Sequence, residues 1–223
     1  MAEQLVFDLP VKTAFGQDDF FRSSANEAAV VAIESWPTWP LGKMVLVGPA
    51  GAGKSHLAQI WTEMVEGSVI AADGDWDARD ISGAVCLENV HAIAGRREFE
   101  ERLFHLHNIH AQQERPFLMT GQGVPSGWAI GLPDLASRIA GSLLVQLGAP
   151  DDRLLAAVFL KQCADRQLQV DPGVVDYILR RAERSFAGMR ELVGQMDRIS
   201  LQRKKPIGLG MVREILAQME LDT

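Results

Sequence analysis

Residues 48–55 read GPAGAGKS, a complete G-x-x-x-x-G-K-[ST] loop between the apolar run Met44-Val45-Leu46-Val47 and a helix-like stretch from His56. This spacing calls for a strand, a turn that wraps a phosphate, and a helix, so it commits the chain to an α/β fold that holds a nucleotide. The glycines let successive backbone N–H groups of Gly48, Pro49, Ala50, Gly51, Ala52 and Gly53 turn around the anion, proline contributing only its bend. Lys54 reaches the terminal phosphates, Ser55 ligates Mg²⁺, and the helix opening at His56 adds its N-terminal partial charge. A chance glycine-rich turn shares some of these letters but not both flanks and the GKS ending.

Composition narrows the class. The chain has 223 residues, 47% of them hydrophobic, enough for a large α/β core and a small second unit. No run approaches the ~20 apolar residues of a membrane span, and the N-terminus lacks a basic start with an apolar region behind it, so a cytoplasmic protein is expected. Cys86 falls in an apolar run and Cys163 in a helix-like one, which suits buried thiols better than a disulfide. With 22 basic against 29 acidic residues, the net charge of −7 argues against broad binding of a nucleic-acid backbone.

Strand-like runs recur at 45–47, 69–72, 84–87, 117–120 and 143–147, with helix-like segments between several of them, which predicts a mainly parallel five-stranded sheet. After Pro150 the pattern becomes purely helical, at 151–166, 171–184, 187–203 and 210–219. Asp171 before Pro172 is the favoured order for starting a helix, and Pro206 bars continuation of the one before it. The expected organisation is an extended peptide at 1–12, an α/β nucleotide-binding core at 13–149 and a small helical lid at 150–223.

Other residues are candidates for chemistry, each with a plainer reading beside it. Glu88 ends the run Ala84-Val85-Cys86-Leu87, where a nucleotide-binding sheet places an acid for Mg²⁺; a strand ending in solvent gives the same letters. The next residue is Asn89 in place of a second carboxylate, so it orients water without accepting a proton, and hydrolysis in cis should be feeble. Thr120 or Gln122, at the end of 117–120, is placed to sense a γ-phosphate or merely marks a strand giving way to a loop. Arg138, in a short helix-like piece before the fifth strand, fits either a surface arginine or a guanidinium offered to a neighbour's phosphoryl group. Arg190, taken as lying in the first turn of its helix, is unfavourable to the helix dipole unless a phosphate or a nearby acid pairs with it. His107 and His110 share a helical face with no acid at zinc-ligand spacing, and five tryptophans without interleaved basic residues suit the core better than base stacking. Leu5, Phe7 and Leu9 alternate after Gln4, as in a peptide docking in a groove and equally as in an edge strand.

Together these stretches resemble the AAA+ core and lid of the DnaA/Hda family of replication proteins, and most of all its shorter Hda branch, over nearly the whole chain. The resemblance rests on Asp19-Phe20-Phe21-Arg22 with Ala25-Asn26, the GKSHL ending, Leu103-Phe104-His105-Leu106 with Asn108, and Met189-Arg190-Glu191-Leu192. The octapeptide GLPDLASR at 131–138 is the most diagnostic. It implies that Phe20 and Phe21 border the base, that Arg190 is the lid's phosphate sensor, that Arg138 is an arginine finger, and that Gln4, Leu5, Phe7 and Leu9 bind the sliding clamp (the polymerase beta subunit).

The expected cofactors are ADP or ATP with Mg²⁺, and the expected partners DnaA and the clamp, with no sequence-specific DNA binding, no membrane and a homo-oligomer left open. The short link at 73–83 and the absence of residues after the lid helices put origin binding and melting in doubt, and Asn89 and Gln122 put intrinsic ATPase activity in doubt. The function implied is promotion of DnaA-bound ATP hydrolysis. The rival is a self-sufficient AAA+ ATPase such as a helicase loader; a small-molecule kinase is weaker, because no acceptor-binding insertion is visible.

Overall fold

The structure is a computed structural model that describes residues 21–203 and 205–221. Its centre is a five-stranded, wholly parallel sheet: β1 (Lys43–Val47), β2 (Ser68–Ala71), β3 (Val85–Glu88), β4 (Phe117–Gly121) and β5 (Leu143–Gln146), in the order β2-β3-β4-β1-β5. The strand expectations hold to within two residues at each end.

Parallel strands need covered faces, and β1 shows how the sequence meets that need. All five of its residues are buried. Met44 and Leu46 point to one side, into a cluster with α1 (Glu27–Glu34) and α2 (Lys54–Met64); Val45 and Val47 point to the other, against α3 (Arg97–Gln112) and α4 (Pro133–Ala140). On the first side Trp39 stacks on Trp61 at 5.3 Å between ring centres, and the Trp39 Nε1–H donates to the carbonyl of Ala32 at 2.7 Å. Both tryptophans therefore fill the core, while Trp76 and Trp128 are only partly buried against it.

Beyond β5 come α5 (Asp152–Asp165), α6 (Pro172–Arg181), α7 (Phe186–Arg203) and α8 (Leu209–Leu221), packed around their own apolar cluster, including Phe159, Ile178, Leu192, Met196 and Val212. Asp151 and Asp171 cap α5 and α6 through their carboxylates, at 2.8 Å to the Leu154 N–H and 3.1 Å to the Gly173 N–H. Cys86 and Cys163 are buried free thiols, and burial pushes both up, Cys163 to about 11. Among the described residues no helix is long and apolar enough to cross a membrane.

Candidate nucleotide-binding site

The loop leaves β1 at Gly48, whose N–H donates to the carbonyl of Gly121 at 3.2 Å, so it starts beside the tip of β4. Gly51 and Gly53 have φ of +69° and +95°, backbone that side chains rarely tolerate. Helix α2 begins at Lys54, two residues earlier than the sequence suggests, because the loop's last turn is already helical. Lys54 is 8% exposed. Its ammonium donates to the carbonyls of Gly48 at 2.8 Å and Pro49 at 2.7 Å, and burial lowers its pKa against the opposing pull of Glu88.

Ala50, Gly51, Ala52, Gly53, Lys54, Ser55 and His56 line a cavity of about 620 Å³ between the sheet and the C-terminal helices. Its other walls are Phe21 and Asn26, Leu147 after β5, Leu154, Val158 and Gln162 of α5, and Phe186 and Arg190 of α7. A cleft with a phosphate loop along one wall and aliphatic and aromatic side chains along the others suits an anionic ligand with a flat ring. Asn26 shapes the strip that carries Phe21: its amide donates to the Phe21 carbonyl at 2.9 Å and accepts the Ser23 N–H at 2.8 Å. That strip is tied to the exit of β5 by the Gly148 N–H on the Ala25 carbonyl at 3.4 Å.

The C-terminal helices rest directly on the loop. A side chain at Gly51 would come within 2.6 Å of the Ser185 Cβ, and one at Gly53 within 2.8 Å of the Phe186 ring. Ser185 is itself held as the start of α7, its hydroxyl donating to Glu183 at 2.6 Å and accepting the Gly188 N–H at 2.9 Å. The sequence reading missed Ser185 and Phe186 because neither belongs to a phosphate-binding motif; their role comes from what they touch.

Glu88 ends β3 with one carboxylate oxygen, Oε1, buried and without a hydrogen-bond partner. A buried carboxylate oxygen near the loop lysine is a fitting ligand for a divalent cation, with Ser55 as the second group. Asn89 follows with φ 61° and ψ 40°, a left-handed conformation that asparagine tolerates better than most residues. Its N–H donates to the Thr120 hydroxyl at 3.2 Å. Thr120 is 1% exposed and engaged in that bond, whereas Gln122 faces the cavity, so of the two sensor candidates only Gln122 has access.

Arg190 lines the cavity, but it does not lie in the first turn of its helix. α7 begins at Phe186, one residue earlier than expected, so Arg190 lies in the second turn, where the dipole penalty has faded. Arg138 does not line this cavity. It is exposed on α4, its guanidinium 5.0 Å from the centre of the Phe104 ring. Glu100 of α3, 1% exposed, anchors the segment leading into α4 by accepting the N–H groups of Gly95 at 2.7 Å, Gly131 at 2.9 and 3.0 Å, and Leu132 at 2.9 Å. The sequence held a signal for Glu100: with Leu103, His107 and His110 it falls on one helical face, and that face is buried.

His107 and His110 are buried on that face of α3. His107 Nδ1 accepts from the buried Lys43 ammonium at 3.3 Å, and burial first, then the charges of Lys43 and Arg138, pull its pKa down to about 3. His110 contacts the carbonyls of Leu106 at 3.1 Å and Gly83 at 3.2 Å. Phe20 and the peptide with Gln4, Leu5, Phe7 and Leu9 lie outside the described residues.

The fold is that of domain III of the Thermotoga maritima replication initiation protein DnaA, with a TM-score of 0.78 over 89% of this chain and 94% of that one at 14% identity. AMPPCP-bound DnaA from Aquifex aeolicus is similar at a TM-score of 0.65 and 19% identity, over 82% of this chain and 64% of that one. The Thermotoga maritima Holliday junction branch migration motor RuvB is similar at 0.64 and 16% identity, over 86% of this chain and 66% of that one. Residues 151–216 match the family described as Hda, lid domain. The C-terminal helices therefore match an Hda-type lid, on a fold shared with DnaA domain III. The match falls on the helices that carry Leu154, Val158, Phe186 and Arg190, so an Hda-type lid forms one wall of the cavity. This chain spans about two thirds of the length of the Aquifex DnaA and RuvB chains.

Proposed function

We propose that this protein is a regulator of DNA replication initiation that holds an adenine nucleotide and stimulates hydrolysis of ATP bound to DnaA. The observation that carries the reading is the place of Arg138: exposed on α4, beside Phe104 and outside the lining of the chain's own nucleotide cavity. A guanidinium so placed serves the phosphates of a neighbouring subunit and not those held in cis. The Hda-type lid supports the same reading, because it points to the regulatory branch of the family.

In this reading the phosphates of ADP or ATP lie along Ala50 to Ser55 and draw the Lys54 ammonium off the carbonyls of Gly48 and Pro49, while Arg190 meets them from the lid. Phe21 borders the base. Ser55 and Glu88 hold Mg²⁺, which supplies neutralisation of phosphate charge when bound. Turnover in cis is slow, because Asn89 stands where a water-activating carboxylate is needed. Residues 4–9 dock on the DNA-loaded sliding clamp, concentrating the protein where it meets DnaA.

The test is hydrolysis of DnaA-bound ATP with the protein, clamp and DNA present together or omitted singly. Stimulation that needs all three is the expected result, and DnaA unaffected by the complete mixture overturns the proposal. The fold likeness to the RuvB motor favours one rival, a self-sufficient ATPase. Robust ATP turnover by the isolated protein would establish it.

A further inference from the structure

We infer that Gln162 selects the base of the bound nucleotide, its amide oxygen accepting a hydrogen bond from the exocyclic amino group of adenine. This rests on the nucleotide-binding reading of the cavity and deepens it. Helix α5 turns one stripe toward the cavity: Leu154, Val158, Lys161, Gln162 and Asp165, spaced by four, three, one and three residues. Leu154 and Val158 on this stripe, with Phe21 and Leu147 elsewhere in the lining, supply apolar surface for the faces of a flat ring.

One turn further on, the stripe becomes polar. Lys161 and Asp165 pair at 3.0 Å. Arg166 donates to the backbone carbonyl of Gln162 at 3.1 Å. The Gln162 Oε1 is buried and has no hydrogen-bond partner. A buried acceptor without a donor is unfavourable, so an oxygen on a cavity wall marks where a ligand's donor belongs. Phosphate oxygens offer no donor, and the wall preceding Gln162 is apolar, as a ring face requires. At its edge adenine presents an amino group, while hypoxanthine and guanine present a carbonyl at that position, which would set oxygen against oxygen.

The test is calorimetric affinity of the full chain for ADP, IDP and 2′-deoxy-ADP. ADP is expected to bind about tenfold or more tighter than IDP, the effect of one buried hydrogen bond made or refused. Gln162→Leu should collapse that preference to within about twofold, chiefly by weakening ADP. Gln162→Glu, which keeps an acceptor, should preserve it. An unchanged ADP-to-IDP ratio in Gln162→Leu with an unchanged melting temperature overturns the inference. So does a loss of ADP affinity in Gln162→Leu that 2′-deoxy-ADP does not share, which would place Gln162 on the ribose 2′-hydroxyl, or a wild-type preference for IDP. Failure of the underlying site is a different result: no nucleotide binds, or Lys54→Ala binds ADP as the wild type does.

Discussion

The backbone N–H of Phe186, the first residue of α7, donates to the carbonyl of Gly51 in the phosphate loop at 3.1 Å. The Phe186 ring also fills the space a side chain would occupy at Gly53. The lid therefore reads the shape of the loop directly, and no side chain can be added there without moving one or the other. Gly53→Ala combines that clash with φ of +95°, a strain of roughly 1–3 kcal/mol. Nucleotide affinity is expected to fall, and limited proteolysis should cut more readily near residues 182–186. Wild-type affinity and wild-type protection in this variant would mean that lid and loop are not coupled.

Arg138 is expected to be dispensable for folding and for nucleotide binding in cis, since it is exposed and lies outside the cavity lining. Stimulation of DnaA should fall by roughly 10³ or more in Arg138→Ala, and Arg138→Lys should be no better because it lacks the forked guanidinium. Hydrolysis on DnaA at the wild-type rate with either variant would remove the arginine-finger mechanism.

Glu100 holds the segment that leads into the helix carrying Arg138. Glu100→Ala leaves the N–H groups of Gly95, Gly131 and Leu132 without their buried acceptor, a loss of about 2–4 kcal/mol in urea unfolding. At temperatures where the variant stays folded, nucleotide affinity should persist while stimulation of DnaA drops, because the start of α4 is released. An equal loss of both activities would point to general destabilisation instead.

Stability should rise with pH on both sides of neutrality, for separate reasons. The His107 pKa is held at about 3 against an ordinary 6.5, so below 6.5 the unfolded chain binds a proton that the folded chain refuses. Stability from this residue is complete above pH 6.5 and is lost as pH falls toward 3. Burial and then Arg138 lower Lys43 from 10.5 to about 8, so its contribution rises with pH between those values and its burial cost is constant below them. His107→Gln should flatten the acid limb of a urea-midpoint profile, and Lys43→Met the rise above pH 8. Unchanged slopes would show that other groups govern them.

The sequence by itself determined the local elements whose signals lie within a few residues. The loop at 48–55 dictates its own strand, turn and helix, the apolar runs mark five strands, and Asp171-Pro172 marks a helix start, because backbone conformation and capping are decided between neighbours. It also gave up Gln122, Arg138 and Arg190 as candidates, from their places at the ends of elements. Only the tertiary structure decided that β4 lies between β1 and β3, which brings Gly121 against Gly48 while separating Glu88 from the loop by a strand. The contacts of Phe186 with Gly53, of Glu100 with Gly131 and Leu132, and of Gln162 with the cavity lie equally beyond a one-dimensional reading. Each joins residues roughly 30 or more apart, or sets a side chain against empty space, and such meetings depend on how whole elements pack.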